Sequence, residues 1–215
     1  MQQADTDERH AKRAETRSHL FDRATVWSGI VAPVLALGCV ALSTLIASSA
    51  EFTWAGKALS DLGRREASTF WLFNGGLFGG GTIGVFFTRP LWRHATNRVE
   101  RLSVVSFLIS VTSLALIGVF YLPRDPHGFV AMLFFVGGPI THVLYGIGLL
   151  QRGETRGGWL SVGFGVVHVF AWSGWFGYIA ATGSSDYFAV PEMLAALAFG
   201  GWAIAVTRQL QRETT

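Results

Sequence analysis

The chain has 215 residues, of which half are apolar and 14% are charged, and its formal net charge is +3. A soluble globular domain has a charged fraction of about 25%, so this composition indicates helices that face lipid. No basic segment interleaved with aromatic side chains is present to bind nucleic acid. The single cysteine, Cys39, excludes an intramolecular disulfide.

The N-terminal segment is polar. Residues 1–25 contain five basic and five acidic side chains, and we expect a cytoplasmic arm outside the membrane. Two interpretations stay open for its last part, residues 17–27, which mixes charges with Leu20 and Phe21. It forms either a short helix along the lipid head groups or a disordered approach to the membrane.

Six apolar runs follow the arm. A helix needs about 20 apolar residues to cross a hydrocarbon core of about 30 Å, and the runs are close to that length. The sequence therefore predicts an all-α polytopic membrane protein, a six-transmembrane-helix bundle over residues 26–207 with a short tail at 208–215. The predicted spans are residues 26–48, 69–87, 102–121, 129–150, 159–181 and 190–206.

The basic residues are distributed unevenly between the two sides of this bundle. Of the 17 Lys and Arg residues, all but Lys57, Arg64, Arg65 and Arg124 fall in the termini or in the loops on the same side as the termini. Lys and Arg concentrate in cytoplasmic segments of membrane proteins. We therefore expect both termini in the cytoplasm, the first loop (residues 49–68) outside, and a location in the cell membrane.

Small residues mark the second and third spans. The second span contains two overlapping small-xxx-small pairs, Gly76/Gly80 and Gly80/Gly84, which favour close helix packing. Serines recur along one face of the third span. We interpret the two faces as one close contact at the centre of the bundle, with a polar pore lined by the serines as the alternative. The serines are Ser103, Ser106, Ser110 and Ser113.

Ionisable and polar groups gather on the predicted external face, and Asn74 lies just below them in the second span. Asp61, Asp125 and His127 could bind a divalent cation together, or Asp61 could orient His127 as a general base. The alternative is structural: Asp61 pairs with Arg64 or Arg65, Asp125 begins the turn before the fourth helix, and Glu192 complements a helix N-terminus. The predicted pocket consists of Ser60, Asp61, Arg64, Arg65, Asn74, Asp125 and His127.

Two histidines, His142 and His168, lie inside the predicted fourth and fifth spans. Each is about 12 to 14 Å from the cytoplasmic end of its helix, so the two side chains could touch. One hypothesis is a haem b held by both histidines. The other is a neutral pair that hydrogen-bonds to each other, to Ser161 or Thr141, or to a carbonyl freed by Pro139.

Three short motifs carry a family resemblance: Ala58–Gly63 (ALSDLG), Phe73–Gly75 (FNG) before a glycine-rich helix, and Phe120–Gly128 (FYLPRDPHG). They resemble prokaryotic membrane proteins grouped as the domain-of-unknown-function family numbered 998. The resemblance implies six helices and no assigned activity. A more distant similarity to membrane-embedded zinc hydrolases of the ceramidase and progestin-receptor type lacks their paired histidines, and it implies no ligand here.

The sequence supports three functional hypotheses. The first is an integral membrane protein whose external pocket binds or transports a small molecule or lipid. The second is a membrane-embedded, metal-dependent hydrolase of a lipid-type substrate, with Arg64 or Arg65 at a head-group phosphate and Ser60, Asp61, Asp125 and His127 as catalytic candidates. The third is a haem electron carrier that uses His142 and His168. The sequence does not indicate which cofactor, if any, the protein binds, or its oligomeric state.

Overall fold

A computed structural model of the chain describes residues 2–213, with side chains over residues 22–212. The described part is helical and contains no strand. Each of its six long helices has a segment long and apolar enough to cross a membrane, so the predicted six-helix membrane bundle is confirmed. The helices are α1 Gln2–Ile46, α2 Phe70–His94, α3 Arg98–Val119, α4 Pro126–Gln151, α5 Thr155–Thr182 and α6 Ala189–Glu213, and a 3₁₀ helix covers Leu59–Gly63.

Several helix bounds differ from the predicted spans. The backbone of residues 2–25 is helical and continues directly into the first span, and α6 extends beyond residue 206 to Glu213. The position of the N-terminal arm along the lipid head groups stays a prediction. Met1, Thr214 and Thr215 lie outside the described residues.

The helices form a closed ring in chain order. Each helix packs against the next one, α6 packs against α1, and α4 reaches α6 across the bundle. Aromatic rings fill the centre: the rings of Phe107 and Phe199 stack at 5.5 Å, and Trp202 lies 5.6 Å from Phe107 and 5.4 Å from Tyr145. The core therefore lies between α3, α4 and α6.

Glycines on α2 let that helix approach both of its neighbours. A Cβ atom at Gly80 would lie 2.7 Å from the Cβ of Ala36 on α1, and one at Gly81 would lie 2.6 Å from the carbonyl oxygen of Val111 on α3. Both distances are shorter than any real side chain tolerates. The glycine-rich face is thus divided between two contacts, as expected for small residues in membrane helices.

The serine face of α3 packs against α4 and not against α2, so the predicted glycine–serine contact is wrong. Ser103 Oγ donates to the carbonyl oxygen of Thr141 at 2.9 Å, and Ser106 Oγ donates to that of Gly137 at 3.0 Å. These hydroxyls bond to backbone carbonyls, as serines in membrane helices commonly do. The glycines of α2 instead meet small side chains and backbone atoms of α1 and α3, such as Ala36 and Val111.

Candidate functional site

Hydrogen bonds from the start of α2 fix the C-terminal end of the 3₁₀ helix in the α1–α2 loop. Asn74 Nδ2 donates to the carbonyl oxygens of Gly63 and Phe70 at 2.8 and 2.9 Å. Thr69 Oγ1 donates to the carbonyl oxygen of Leu62 at 2.8 Å. The polar side chains near the first turn of α2 therefore satisfy the carbonyl end of the short helix.

Two acidic side chains accept hydrogen bonds at the other end of the 3₁₀ helix. Asp61 Oδ2 accepts from the backbone N–H of Ala58 at 2.9 Å, and Glu192 Oε2, from the first turn of α6, accepts from the backbone N–H of Leu59 at 2.6 Å. Asp61 Oδ1 also accepts from Arg64 Nε at 2.5 Å, which is the pairing offered as the structural alternative. Both oxygens of Asp61 are therefore occupied by local bonds.

His127 is buried in the first turn of α4. Its Nδ1 lies 2.7 Å from the carbonyl oxygen of Phe120. A carbonyl oxygen can only accept, so Nδ1 carries the proton and Nε2 of the neutral ring is left as an acceptor. Because Asp61 is bonded to Ala58 and Arg64, it does not orient His127.

A groove of about 1000 Å³ runs along α4 and α5. At one end it is lined by three polar side chains, Ser60, His127 and Glu192. Below them, its walls are mostly apolar, with His168 and Ser173 on α5 as polar side chains, and come from one face of each helix, at steps of three and four residues. Many of these wall residues are exposed on the lipid-facing surface. They include Met132, Val136, Ile140, Val169 and Phe176.

A second cavity, of about 530 Å³, lies at the same end of the bundle between α2 and α3. Its mouth has Arg65 and Arg124, and Asn74 contributes to its wall together with aromatic rings. We call it the arginine cleft. It shares no lining residue with the α4–α5 groove.

The structure therefore divides the predicted pocket. Ser60 and His127 line the groove, whereas Arg65 and Asn74 line the arginine cleft. Asp61 and Arg64 line neither cavity. Asp125 is exposed at the N-cap of α4, where its side chain does not cap the helix.

The proposed metal ligands are not gathered. Over residues 22–212, no group of three or more His, Cys, Asp or Glu side chains is arranged to hold a metal ion. Asp61 is bonded to the loop backbone and to Arg64, and Asp125 faces solvent. The geometry thus offers polar groups for binding a ligand at the groove end, without a set of metal ligands around them.

His142 and His168 do meet inside the bundle, with ring centroids 6.0 Å apart. The two rings do not hydrogen-bond to each other, to Ser161 or to Thr141. The His168 ring instead interacts with the backbone of Phe135, whose carbonyl Pro139 leaves without its helical donor. The two predicted hydroxyl partners are engaged elsewhere: Ser161 Oγ donates to the His142 carbonyl oxygen and accepts from Trp202 Nε1, and Thr141 Oγ1 donates to the Gly137 carbonyl oxygen.

The packing around this pair does not fit a haem. A Cβ atom at Gly165 would lie 3.2 Å from the Cβ of His142, and one at Gly138 would lie 2.6 Å from Cε1 of His168. Each histidine side chain therefore packs directly against a glycine of the neighbouring helix. A porphyrin between the two rings would have to separate these helices.

Glu192 is the site residue whose role sequence reasoning missed. Its position beside Pro191 indicated a local interaction with the first turn of its own helix. Its burial, with 6% of its surface exposed, and its bond to Leu59 show a long-range partner instead. The apolar groove wall was missed as well, because residues facing lipid and residues facing a groove have the same hydropathy.

The chain matches a known family model. The family model described as "Protein of unknown function (DUF998)" matches residues 30–209. The chain therefore belongs to the DUF998 family. Searches of curated proteins and of solved structures found no match.

Proposed function

We propose that this member of the DUF998 family binds an elongated amphipathic molecule of lipid type in the α4–α5 groove. The apolar chain lies between α4 and α5, and the polar head lies against Ser60, His127 and Glu192. The role is binding or transport of this molecule within the membrane.

One observation carries the proposal, which is the arrangement of polarity along the groove. The groove wall is mostly apolar, with His168 and Ser173 as polar side chains along its length, and Ser60, His127 and Glu192 cluster at one end. A ligand site normally combines an apolar lining with a few fixed polar groups that orient the ligand. Here those groups lie at the end of two membrane helices, where the head of an amphipathic molecule would lie if its chain stays at the depth of lipid tails.

The polar end favours a head group that carries hydroxyls or an amine. His127 has Nε2 as an acceptor, the Ser60 hydroxyl both donates and accepts, and Glu192 offers carboxyl oxygens. The 3₁₀ helix that carries Ser60 is fixed at both ends by Asn74 and Glu192. Such fixed polar groups lose little conformational entropy when a ligand binds.

We also infer that this end faces the outside of the cell membrane and that both termini are cytoplasmic. The support is the excess of Lys and Arg in the termini and in the α2–α3 and α4–α5 loops. A ligand would then enter the groove from the outer leaflet.

The test uses the purified chain in nanodiscs and a monoacylglycerol probe with a photoactivatable diazirine in its acyl chain. We expect cross-links on the groove faces of α4 and α5, mapped by mass spectrometry. Ser173→Trp places a large side chain in the groove from an exposed position. It should reduce labelling about tenfold, which corresponds to a loss of roughly 1.4 kcal/mol of binding free energy. Val167→Trp is the control, because Val167 is 52% exposed and does not line the groove.

The head-group contact has its own pair of variants. His127→Ala removes a hydrogen-bonding partner of the head group. It should weaken probe binding by roughly five- to tenfold, which corresponds to a loss of about 1 to 1.4 kcal/mol of binding free energy. Asp125→Ala should leave it unchanged, because this side chain lies outside the groove. Labelling that is spread evenly around all six helices, or that persists in Ser173→Trp, would contradict the proposal.

A further inference from the structure

The arginine cleft has two cations without an anionic partner. Arg65 is exposed and forms no ion pair or hydrogen bond with the described residues. The Arg124 guanidinium lies over the Tyr121 ring at 4.2 Å and donates to the Tyr121 hydroxyl at 3.0 Å. No carboxylate in the described part of the chain pairs with it. The neighbouring Arg64, in contrast, is paired with Asp61.

The wall of the cleft is apolar and faces the surrounding lipid. Trp71 is 84% exposed and Phe78 is 51% exposed, and Phe70 and Tyr121 pack edge to face at 4.9 Å on the inner side. Gly75 lines the cleft and leaves space in it, because nothing lies within 4 Å of the position where its Cβ would be. The cleft, of about 530 Å³, therefore combines an apolar, exposed wall with two positive charges.

We infer that the arginine cleft is a binding site for an anionic phospholipid, separate from the α4–α5 groove. The phosphate lies between the guanidinium groups of Arg65 and Arg124, and one acyl chain lies against Phe70, Trp71 and Phe78. Guanidinium groups bind phosphate with paired, charge-assisted hydrogen bonds. Arg65 lies in the α1–α2 loop and Arg124 in the α3–α4 loop, both close to the ends of membrane helices. Arg side chains near the ends of membrane helices reach the head-group region, so a bilayer lipid could meet both features of the cleft.

The test measures phospholipid binding by native mass spectrometry of the full chain released from detergent. Phosphatidylglycerol and phosphatidylcholine with the same acyl chains are the probes. We expect one phosphatidylglycerol per chain to bind at least about fivefold more tightly than phosphatidylcholine, as one guanidinium is worth about 1 kcal/mol near a charged lipid surface. Arg65→Gln and Arg124→Gln should each weaken phosphatidylglycerol binding about fivefold. Arg98→Gln removes the same charge from an exposed position at the other end of the bundle and should have no such effect.

A second pair of variants tests the acyl chain and does not depend on charge. Gly75→Leu adds a side chain at a position whose Cβ has open space and fills the cleft. It should weaken phosphatidylglycerol binding at least about fivefold, the equivalent of about 1 kcal/mol. Gly38→Leu is the matched control, since Gly38 on α1 also has open space around its Cβ position and does not line the cleft. Equal affinity for the two lipids, or full binding in Arg65→Gln/Arg124→Gln or in Gly75→Leu, would overturn the inference. Ser173→Trp in the groove should leave this binding intact, so the two sites are tested separately.

Discussion

Glu192 and Leu59 are 133 residues apart in the chain and are joined by a hydrogen bond of 2.6 Å from the Leu59 backbone N–H to Glu192 Oε2. The bond attaches the first turn of α6 to the 3₁₀ helix in the α1–α2 loop. It also fixes the polar end of the α4–α5 groove, because Ser60 and Glu192 both line it. The geometry of the candidate site therefore depends on the order of the helices around the ring.

Glu192→Ala should destabilise the protein by about 1 to 3 kcal/mol, because it leaves the buried N–H of Leu59 without an acceptor. Glu192→Gln keeps an acceptor oxygen at the same distance and should retain most of the stability. The measurement is thermal unfolding in detergent. Equal losses for both variants would show that the bond to Leu59 does not hold the loop.

Gly81→Ala should destabilise the contact between α2 and α3 by about 1 to 3 kcal/mol, the usual range for overpacking. The added methyl group would lie 2.6 Å from the Val111 carbonyl oxygen, and backbone cannot move aside as a flexible side chain can. Gly75→Ala is on the same helix with open space around the site, and should be neutral or stabilise by about 0.5 to 1 kcal/mol. Thermal unfolding of the pair would measure the difference, and similar melting temperatures would contradict the packing.

Glu51 should make the stability of the α1–α2 loop depend on pH. Its carboxylate accepts from the backbone N–H groups of Ser68 at 2.6 Å and Ser48 at 3.0 Å. These bonds, with those of the Ser48 and Ser68 hydroxyls, lower the pKa of Glu51 from 4.5 to about 2. A lowered pKa in the folded state means that the stabilisation is fully present above pH 4.5 and is lost as the pH falls towards 2.

The comparison for this prediction is Glu51→Gln, which cannot ionise. We expect wild type to have the higher melting temperature above pH 4.5, and the difference to shrink between pH 4.5 and about 2. A difference that stays constant over this range would show that the ionised carboxylate does not stabilise the loop.

The proposed topology predicts which loops a membrane-impermeant maleimide can reach in intact cells. In a Cys39→Ala background, Ser185→Cys in the α5–α6 loop should be labelled from outside. Thr96→Cys in the α2–α3 loop should be labelled only after the membrane is permeabilised. Both positions are exposed in the structure, so accessibility depends on the side of the membrane. The reverse pattern would place the termini outside.

Local features of the candidate site could be predicted from the sequence. Asp61 and Arg64 are three residues apart, and Asn74 lies one turn into α2, so their partners lie close along the chain. The division of the predicted pocket could not be seen in this way. Ser60 and Arg65 are five residues apart, yet they line different cavities because one lies beside α4 and the other beside α2 and α3.

The sequence by itself determined the six membrane helices, because apolar segments of this length have one favourable location, the hydrocarbon core, and must satisfy their backbone groups within a helix. The tertiary structure decided which helix faces meet. Glycine and serine allow close approach to any neighbour, so the pairing of Ser103 with α4 and of Gly81 with α3 followed from the ring of helices. The same ring brought Glu192 to Leu59, a contact that no local pattern encodes, since hydrogen bonds across the bundle depend on the relative positions of whole helices.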